Sequence, residues 1–457
     1  MVSLGGVRVL IVSTYELGHQ PLHAAVPAAV LRDAGHEVRC LDLSVQRWDP
    51  ALIDWAGAVC FSTPMHTAMR LAVTAATVIR RERPTLPICF YGLYAPVSRD
   101  HTVGRVTDRV IAGDYVGALV AWVADLAGDV DVADPVTIQL GRGRVKPPLP
   151  ARDLLPPLDS YAHLAFGGHE RRVGAVQATV GCKHRCRHCP VPTVYGGRFR
   201  AVDTAAVLDD IAQLVELGAG HITFADPDFL NGPTHALRVV RAMHERWPQL
   251  TFDCTTKVDH IVEHPQAWPV LAQSGCLFVV SALETTNDTI LARLDKGHTT
   301  AQARQAIALL RSYGIELRPS WLPFTPWTTL GDVHDVVTFV ADHDLVGNVD
   351  PVMYTIRLLL PQGSLLVDHP DLAPHLGDYD AERLTYRWTA ADPQVDALQA
   401  ELAQLVAERT AHGASAERIF LDVDAAVSAA AGVTAGRPQI LTGSVQGRPR
   451  LTEPWFC

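Results

Sequence analysis

The sequence predicts two consecutive α/β domains and a helical extension: a doubly wound parallel sheet over about 1–135, a partial (β/α)6 TIM-type barrel over about 169–375, and helices ending in a cysteine-terminated tail over 376–457. Three observations carry this. Short β-branched runs alternate with helical stretches from the N-terminus. From residue 169 onward a strand-then-helix unit repeats six times. Between the two, residues 136–168 are rich in proline, including Pro147-Pro148-Leu149-Pro150 and Pro156-Pro157, and read as a linker with little contact to either core. A chain of 457 residues is also too long for one ordinary core.

In the first domain, strands are expected at 7–13, 36–43, 58–62 and 87–91, with helices near 23–34, 68–82 and 117–126. A doubly wound sheet binds ligands beyond its strand C-termini, which places a crevice at the loops Thr14–Pro21, Ser62–Thr67 and Gly92–Pro96. In the second domain, strands read at 174–180, 221–225, 250–258, 276–283, 316–324 and 352–360, with helices near 203–217, 234–246, 264–273, 286–295, 300–313 and 330–343. Further helices, amphipathic over 393–409 and alanine-rich over 416–431, are expected to cap the open bottom or side of the barrel.

Composition narrows the function classes. A net charge of −10 and a pI near 6.0, with no run of three basic residues, argue against a nucleic-acid surface, because phosphate binding needs clustered Lys and Arg. No apolar stretch reaches the roughly 18–20 residues of a membrane span, and the N-terminus has no signal-peptide pattern, so the expected location is the cytoplasm. Of nine cysteines, Cys40, Cys60, Cys89, Cys254 and Cys276 lie singly in strand-like apolar runs and read as small buried hydrophobes.

The chemistry concentrates in Gly181-Cys182-Lys183-His184-Arg185-Cys186-Arg187-His188-Cys189-Pro190, directly after the first barrel strand and so at the barrel mouth. Cys182, Cys186 and Cys189 at C-x3-C-x2-C can hold three irons of a 4Fe-4S cluster, leaving one iron open to chelation by the methionyl amine and carboxylate of S-adenosylmethionine. The competing reading is a zinc site completed by His184, His188 or a distant cysteine. Other strand ends offer ligands to the same mouth. Asp226 and Asp228 can meet a methionyl ammonium or a substrate amine, or merely precede a helix starting at Asn231-Gly232-Pro233. Ser281 and Glu284 end the fourth strand, where a carboxylate suits ribose hydroxyls or an N-cap. Arg318 in the fifth strand suits a methionyl carboxylate, or an ion pair with Asp226 or Glu284. Trp327 walls the cavity or packs beneath it, and Arg357 faces core or cleft.

The cysteine loop resembles the signature of the radical SAM superfamily, in which the residue before the last cysteine is usually aromatic, a position His188 fills here; a solvated surface histidine is the other reading. The segment Thr285–His298 resembles that superfamily's run from a strand-end acid to a Lys-Gly. The first domain resembles the cobalamin-binding domain that precedes many radical SAM cores, but lacks their D-x-H-x-x-G ligand segment: Tyr15-Glu16-Leu17-Gly18-His19-Gln20 has the wrong order. Bound cobalamin and a retained fold without the corrin both stay open. His19, His23 and His66 read as loop histidines or as ligands.

Together with Phe90-Tyr91-Gly92-Leu93-Tyr94-Ala95-Pro96, Asp226-Pro227-Asp228-Phe229, Asp295-Lys296-Gly297-His298-Thr299, Pro323-Phe324-Thr325-Pro326-Trp327-Thr328-Thr329 and the terminal Glu453-Pro454-Trp455-Phe456-Cys457, these segments resemble the CUAEP/CCAEP-tail radical SAM (seleno)proteins over nearly the whole chain. That grouping includes an arsinothricin-biosynthesis enzyme. The resemblance implies transfer of the 3-amino-3-carboxypropyl group of S-adenosylmethionine to a soft acceptor such as trivalent arsenic, with Cys457 as an acceptor thiol or an ordinary terminus. The family tail continues past this cysteine; a UGA codon read as a stop, or a chain cut there, would leave Cys457 last. The alternatives are cobalamin-dependent methyl transfer, another 5′-deoxyadenosyl-radical reaction, and a non-enzymatic metal-binding scaffold. A small-molecule substrate and a flavodoxin-type electron donor are the expected partners.

Overall fold

The computed structural model describes residues 6–126, 134–433 and 447–453. The first sheet is parallel throughout. Its strands are β1 (Arg8–Ser13), β2 (Glu37–Asp42), β3 (Ala58–Ser62), β4 (Ile88–Tyr91), β5 (Arg109–Gly113) and β6 (Val136–Gln139), in the order β2-β1-β3-β4-β5-β6. The strands run β-branched and apolar because both faces are covered by helices, and Val9, Leu10, Ile11 and Val12 are all fully buried. Strand order reverses between β1 and β3, so the crevice of this doubly wound sheet opens beyond Ser13 and Ser62.

The linker expectation is corrected in two ways. Val136–Gln139 is the edge strand β6, paired with β5, so the first sheet runs past residue 135. Its edge position leaves half of its residues exposed, which erases the buried-strand pattern. Nor is the following stretch free of core contact. The side chain of Arg152 is fully buried, donating to both carboxylate oxygens of Asp210 at 2.8 and 3.0 Å, to the Gln20 side chain at 3.0 Å and to the Ala175 carbonyl at 2.7 Å. This one guanidinium therefore joins the β1 loop, the first barrel strand and a barrel helix. Tyr161 adds a hydrogen bond to Asp42 at 2.9 Å.

The second sheet is a curled half-barrel. It begins with an antiparallel hairpin, β7 (His163–Phe166) and β8 (His169–Val176); the short strands β9 (Thr179–Gly181) and β10 (Phe199–Ala201) then pair with each other around the cysteine loop. β11 (His221–Phe224), β12 (Thr251–Thr255), β13 (Cys276–Glu284) and β14 (Glu316–Trp321) continue parallel to β8. The sixth expected strand, 352–360, is absent as a strand. Pro351 starts a 3-10 turn over Pro351–Thr355, and only a single bridge, Phe324 to Arg357, remains where the strand would lie. Proline has no N–H for a ladder and its fixed φ favours the first turn of a helix.

A hairpin of β15 (Leu376–Asp380) and β16 (Thr385–Trp388) reaches back to the first domain, where Tyr379 meets Ser98 at 2.9 Å and stacks on His101. The helices Pro393–Ala411 and Ala416–Ala430 pack against each other and against the 3-10 turn Pro351–Thr355, beside the last barrel strand. The open side of the half-barrel is crossed by residues 447–453. Arg448 pairs with Asp344 beside β14, and β17 (Arg450–Leu451) adds to β7 on the opposite edge. Among the described residues no helix is long and apolar enough to cross a membrane.

Candidate active site

The cysteine loop is built by its backbone. Gly181 adopts φ +79°, and a Cβ there would lie 2.5 Å from the Arg198 carbonyl and 2.9 Å from the Tyr195 ring, so only glycine permits the turn that launches Cys182. The Cys189 N–H then closes on the Cys186 carbonyl at 3.2 Å. Arg187 anchors the loop to the end of helix Asp288–Arg293, donating from its backbone to Leu294 and from its side chain to Arg293 at 2.9 Å. Cys182 and Cys186 are buried and Cys189 is half-buried. Burial pushes the Cys182 thiol up and the Cys189 thiol up to about 12, so ionising these sulfurs calls for a cation at the loop. Three thiolates on one zinc at about 2.3 Å would stand roughly 4 Å apart. Among the described residues two groups of potential ligands converge within 4.8 Å, and the three cysteines form neither. Their spread suits a larger inorganic unit than one zinc ion.

Beside the loop, Glu284 ends β13 in the left-handed region at φ +65°, a conformation that non-glycine residues adopt where surrounding structure enforces it. Its Oε1 meets His188 Nε2 at 3.1 Å and accepts from Lys296 at 2.9 Å, which leaves Oε2 to accept from another donor. Burial alone would raise the pKa of Glu284; Lys296 and His188 outweigh it and hold the carboxyl far below its usual range. Burial likewise opposes charge on Lys296, yet Glu284 and the neighbouring Cys186 and Cys189 raise its pKa. A buried cation next to two of the cysteines is thus built in. Lys296 was visible only as part of the Lys-Gly segment, and its partner could not be read from spacing.

The other expected ligands are placed differently. Asp226 accepts from the Ala178 N–H at 3.1 Å and from the Thr179 hydroxyl, so it braces the entry to the cysteine loop; burial raises its pKa to about 7. Asp228 accepts from the Leu230 N–H and faces His260 and His184, which hold its carboxyl low despite burial. Ser281 shares the face of β13 that carries Val279 and Leu283 into the core beneath the helices, and its buried hydroxyl has no partner there; the strand's alternation turns it away from the mouth. Arg318 pairs with Asp350 at 3.2 Å, not with Asp226 or Glu284, and reaches the Pro449 carbonyl at 3.5 Å, because the turn after Leu345 brings Asp350 against β14. Arg357 pairs with Asp396, and Trp327 lies under Arg293 with its indole bonded to the Asp371 carbonyl. Cys457 lies outside the described residues. Sequence reasoning missed Asn231, whose side-chain oxygen lies 3.7 Å from the Cys182 sulfur, together with His260 and Lys257; none carries a local signal.

A cavity of about 740 Å³ opens between the domains. One wall is the helix Leu22–Asp33, through Leu22, His23, Val26 and Val30, and the turn after β5 at Gly113–Gly117. The other is Val176, Gln177 and Val180, which lead into the cysteine loop, with Tyr195 and Arg200 from the loop's far side. Gly113, at φ +75°, would carry a Cβ into the Gln139 carbonyl at 2.1 Å. His23 Nδ1 meets Glu16 at 2.9 Å, and that contact outweighs burial to raise its pKa. His19 is buried with Nδ1 unpartnered, and burial lowers its pKa.

Residues 176–325 match the Radical SAM superfamily. The hopanoid C-3 methylase of Methylococcus capsulatus is 23% identical over 330 residues, covering 67% of this chain and 62% of that protein. The bacteriochlorophyllide d C-12(1)-methyltransferase of Chlorobaculum tepidum is 24% identical over 192 residues, 39% of this chain and 41% of that protein. The chain thus spans less than two thirds of the length of these curated relatives. Among solved structures, the cobalamin-dependent S-adenosylmethionine radical enzyme OxsB with aqua-cobalamin bound has a TM-score of 0.71 at 14% identity, covering 93% of this chain and 72% of that one. The radical S-adenosylmethionine methyltransferase TsrM from Kitasatospora setae, with cobalamin and a 4Fe-4S cluster bound, has a TM-score of 0.65 at 16% identity, over 93% of this chain and 89% of that one. The shared architecture is a doubly wound domain followed by a half-barrel.

Proposed function

We propose that this radical SAM enzyme transfers a methyl group to a small-molecule substrate, with a cobalamin held between its two domains and electrons delivered by a flavodoxin-type reductase. The observation that carries the reading is the interdomain cavity, whose barrel wall is the strand leading into the cysteine loop. Its size lies in the range of small-molecule and cofactor sites, roughly 300–1,000 Å³. Its apolar wall of Leu22, Val26 and Val30 and its polar margin of Arg144, Lys146 and Arg200 suit a large ring with a hydrophobic face and an amide and phosphate periphery. Methyl transfer is the activity named for several relatives of the chain.

Cys182, Cys186 and Cys189 would hold the 4Fe-4S cluster, the buried thiols gaining in its irons the cation that their burial otherwise lacks. When bound, the cluster supplies the electron for reductive cleavage of S-adenosylmethionine, and cobalamin a carrier for the methyl group. Lys296 keeps positive charge beside Cys186 and Cys189. Glu284, fixed by Lys296 and His188, offers Oε2 to the ribose hydroxyls of S-adenosylmethionine. Asp226 supports the loop from behind and is not assigned a ligand role, nor are Ser281 and Arg318.

The second reading, 3-amino-3-carboxypropyl transfer to trivalent arsenic, rests on the resemblance of the chain's segments and tail to the CUAEP/CCAEP grouping, and no relative named above supports it. Fragment analysis separates the two. Anaerobically reconstituted enzyme turning over with its substrate should yield S-adenosylhomocysteine and retain a corrin through gel filtration. Methylthioadenosine as the dominant fragment, formed with arsenite and without corrin, would replace the first reading by the second.

A further inference from the structure

Behind the cysteine loop lies a group of side chains that the reaction proposed above does not use. We propose that His184, Asp228 and His260 form a mononuclear site for a divalent transition-metal ion such as zinc. Their ligand atoms converge within 4.8 Å of one another. Asp228 Oδ2 stands 2.7 Å from His260 Nδ1 and 3.5 Å from His184 Nε2. Ligands held about 2.0–2.2 Å from one metal ion are separated from each other by roughly 3 Å, a value these two distances bracket.

The second observation is what these atoms lack. Asp228 is 0% and His260 1% exposed, yet neither Asp228 Oδ2 nor His260 Nδ1 makes an aligned hydrogen bond, although they nearly touch. A buried carboxylate and two imidazoles that converge this closely, with Oδ2 and Nδ1 out of hydrogen-bond alignment, are placed as ligands of one shared ion would be. Two imidazoles and a carboxylate are a donor set for zinc, iron or cobalt, with coordination positions to spare.

The surroundings set one condition. Lys257 lies 3.1 Å from His184 Nδ1 and 3.0 Å from Asp259, while His184 Nδ1 is 4.0 Å from Asp259. Without an ion, Lys257 donates to His184 Nδ1, and His184 Nε2 donates to His260 Nε2 across 3.1 Å. With an ion on His184 Nε2, Nδ1 carries a proton, so the Lys257 ammonium must draw back from it and Asp259, 4.0 Å away, must close on it. A carboxylate behind a metal-bound imidazole is the usual supporting arrangement. The ion would tie the stretch between Cys182 and Cys186 to the end of β11 and to the helix Val258–Glu263.

The test uses the full-length protein with its cluster reconstituted, dialysed anaerobically against zinc chloride. One zinc per chain is expected in addition to the cluster iron, with a nitrogen and oxygen shell at about 2.0–2.1 Å in zinc-edge X-ray absorption. His260→Ala should weaken that binding by at least about tenfold to a hundredfold, and Asp228→Asn similarly, with iron content and far-UV circular dichroism unchanged. His264→Ala should leave it intact. Absence of saturable zinc binding to the cluster-loaded protein, a sulfur shell at about 2.3 Å, or binding undiminished in a folded His260→Ala protein would each overturn the site and leave the hydrogen-bonded imidazole chain as its structure.

Discussion

The barrel mouth and the interdomain cavity sit on either side of one stretch of chain, Val176–Val180, and are built on opposite principles. At the mouth a network of polar contacts sets the geometry: Asp226 braces Ala178 and Thr179, Glu284 holds His188 and Lys296, and Arg187 pins the loop to a helix end. The cavity is walled largely by aliphatic side chains, prolines and backbone turns, with its polar pairs, His23–Glu16, Arg200–Asp114 and Asp210–Arg152, set around them. A dense polar network holds a small, charged unit in one geometry, because each buried group must keep its partner. An apolar cleft between domains accepts a large ligand by shape and yields when the domains part. The two sites should therefore fail independently, except through residues such as Arg152 that tie both walls.

Replacing any of Cys182, Cys186 or Cys189 by Ala should give the largest effect, complete loss of cluster iron and of turnover, while leaving corrin retention in place; iron analysis and gel filtration with a visible spectrum check both. Loss of corrin in the same variants would break the independence of the two sites. In the converse experiment Val26→Trp fills the cavity from the helix side. Corrin retention should fall by at least about tenfold, since an inserted indole displaces the ligand from a close-packed wall, with iron content unchanged.

Arg152→Ala should affect both. It strips Asp210 of its bidentate partner and Gln20 of its donor, and breaking one side of a buried ion pair costs about 3–5 kcal/mol. Chemical denaturation should show the first domain parting from the barrel earlier, and a wild-type midpoint in this variant would remove Arg152 from the role of interdomain clamp.

The smallest effect is a pH dependence at the mouth. Burial raises the pKa of Asp226 to about 7 in the folded chain, whereas in the unfolded chain it titrates near 4. The folded state thus binds this proton more tightly, so the group's contribution to stability is greatest below about pH 4 and declines as pH rises toward 7, by an amount on the order of 2–4 kcal/mol. Asp226→Asn should flatten that part of the stability profile. An unaltered slope in the Asn variant would assign the dependence to another group. Glu284 has the opposite sign: its depressed pKa stabilises above about pH 4 and that contribution fades only in stronger acid.

Much of the molecule was legible in the residues alone, and for one physical reason: those features are local. Three cysteines within eight residues define their own loop wherever the chain goes, and a glycine that must turn at φ +79° marks its entry. β-Branched runs and helical periodicities revealed four strands of the first sheet and the parallel strands of the half-barrel, because burial of a strand or helix face is written in residue order. Two strands of the first sheet escaped, β5 because it is short and β6 because its edge position leaves it half exposed, while the sixth barrel strand was expected where Pro351 starts a 3-10 turn instead. Partner choice was decided only by the tertiary structure. Arg318 suits any carboxylate, and it meets Asp350 because a turn delivers that residue; Lys296 meets Glu284 across the helix Asp288–Arg293, and Arg152 meets Asp210 across 58 residues of chain. Ser281 and Glu284 lie three residues apart on one strand, yet alternation sends Ser281 under the helices while the register shift before Glu284 turns that carboxylate to the cysteine loop. Charge and hydrogen-bonding capacity belong to the residue, but the atom that satisfies them is whichever one folding brings within about 3 Å.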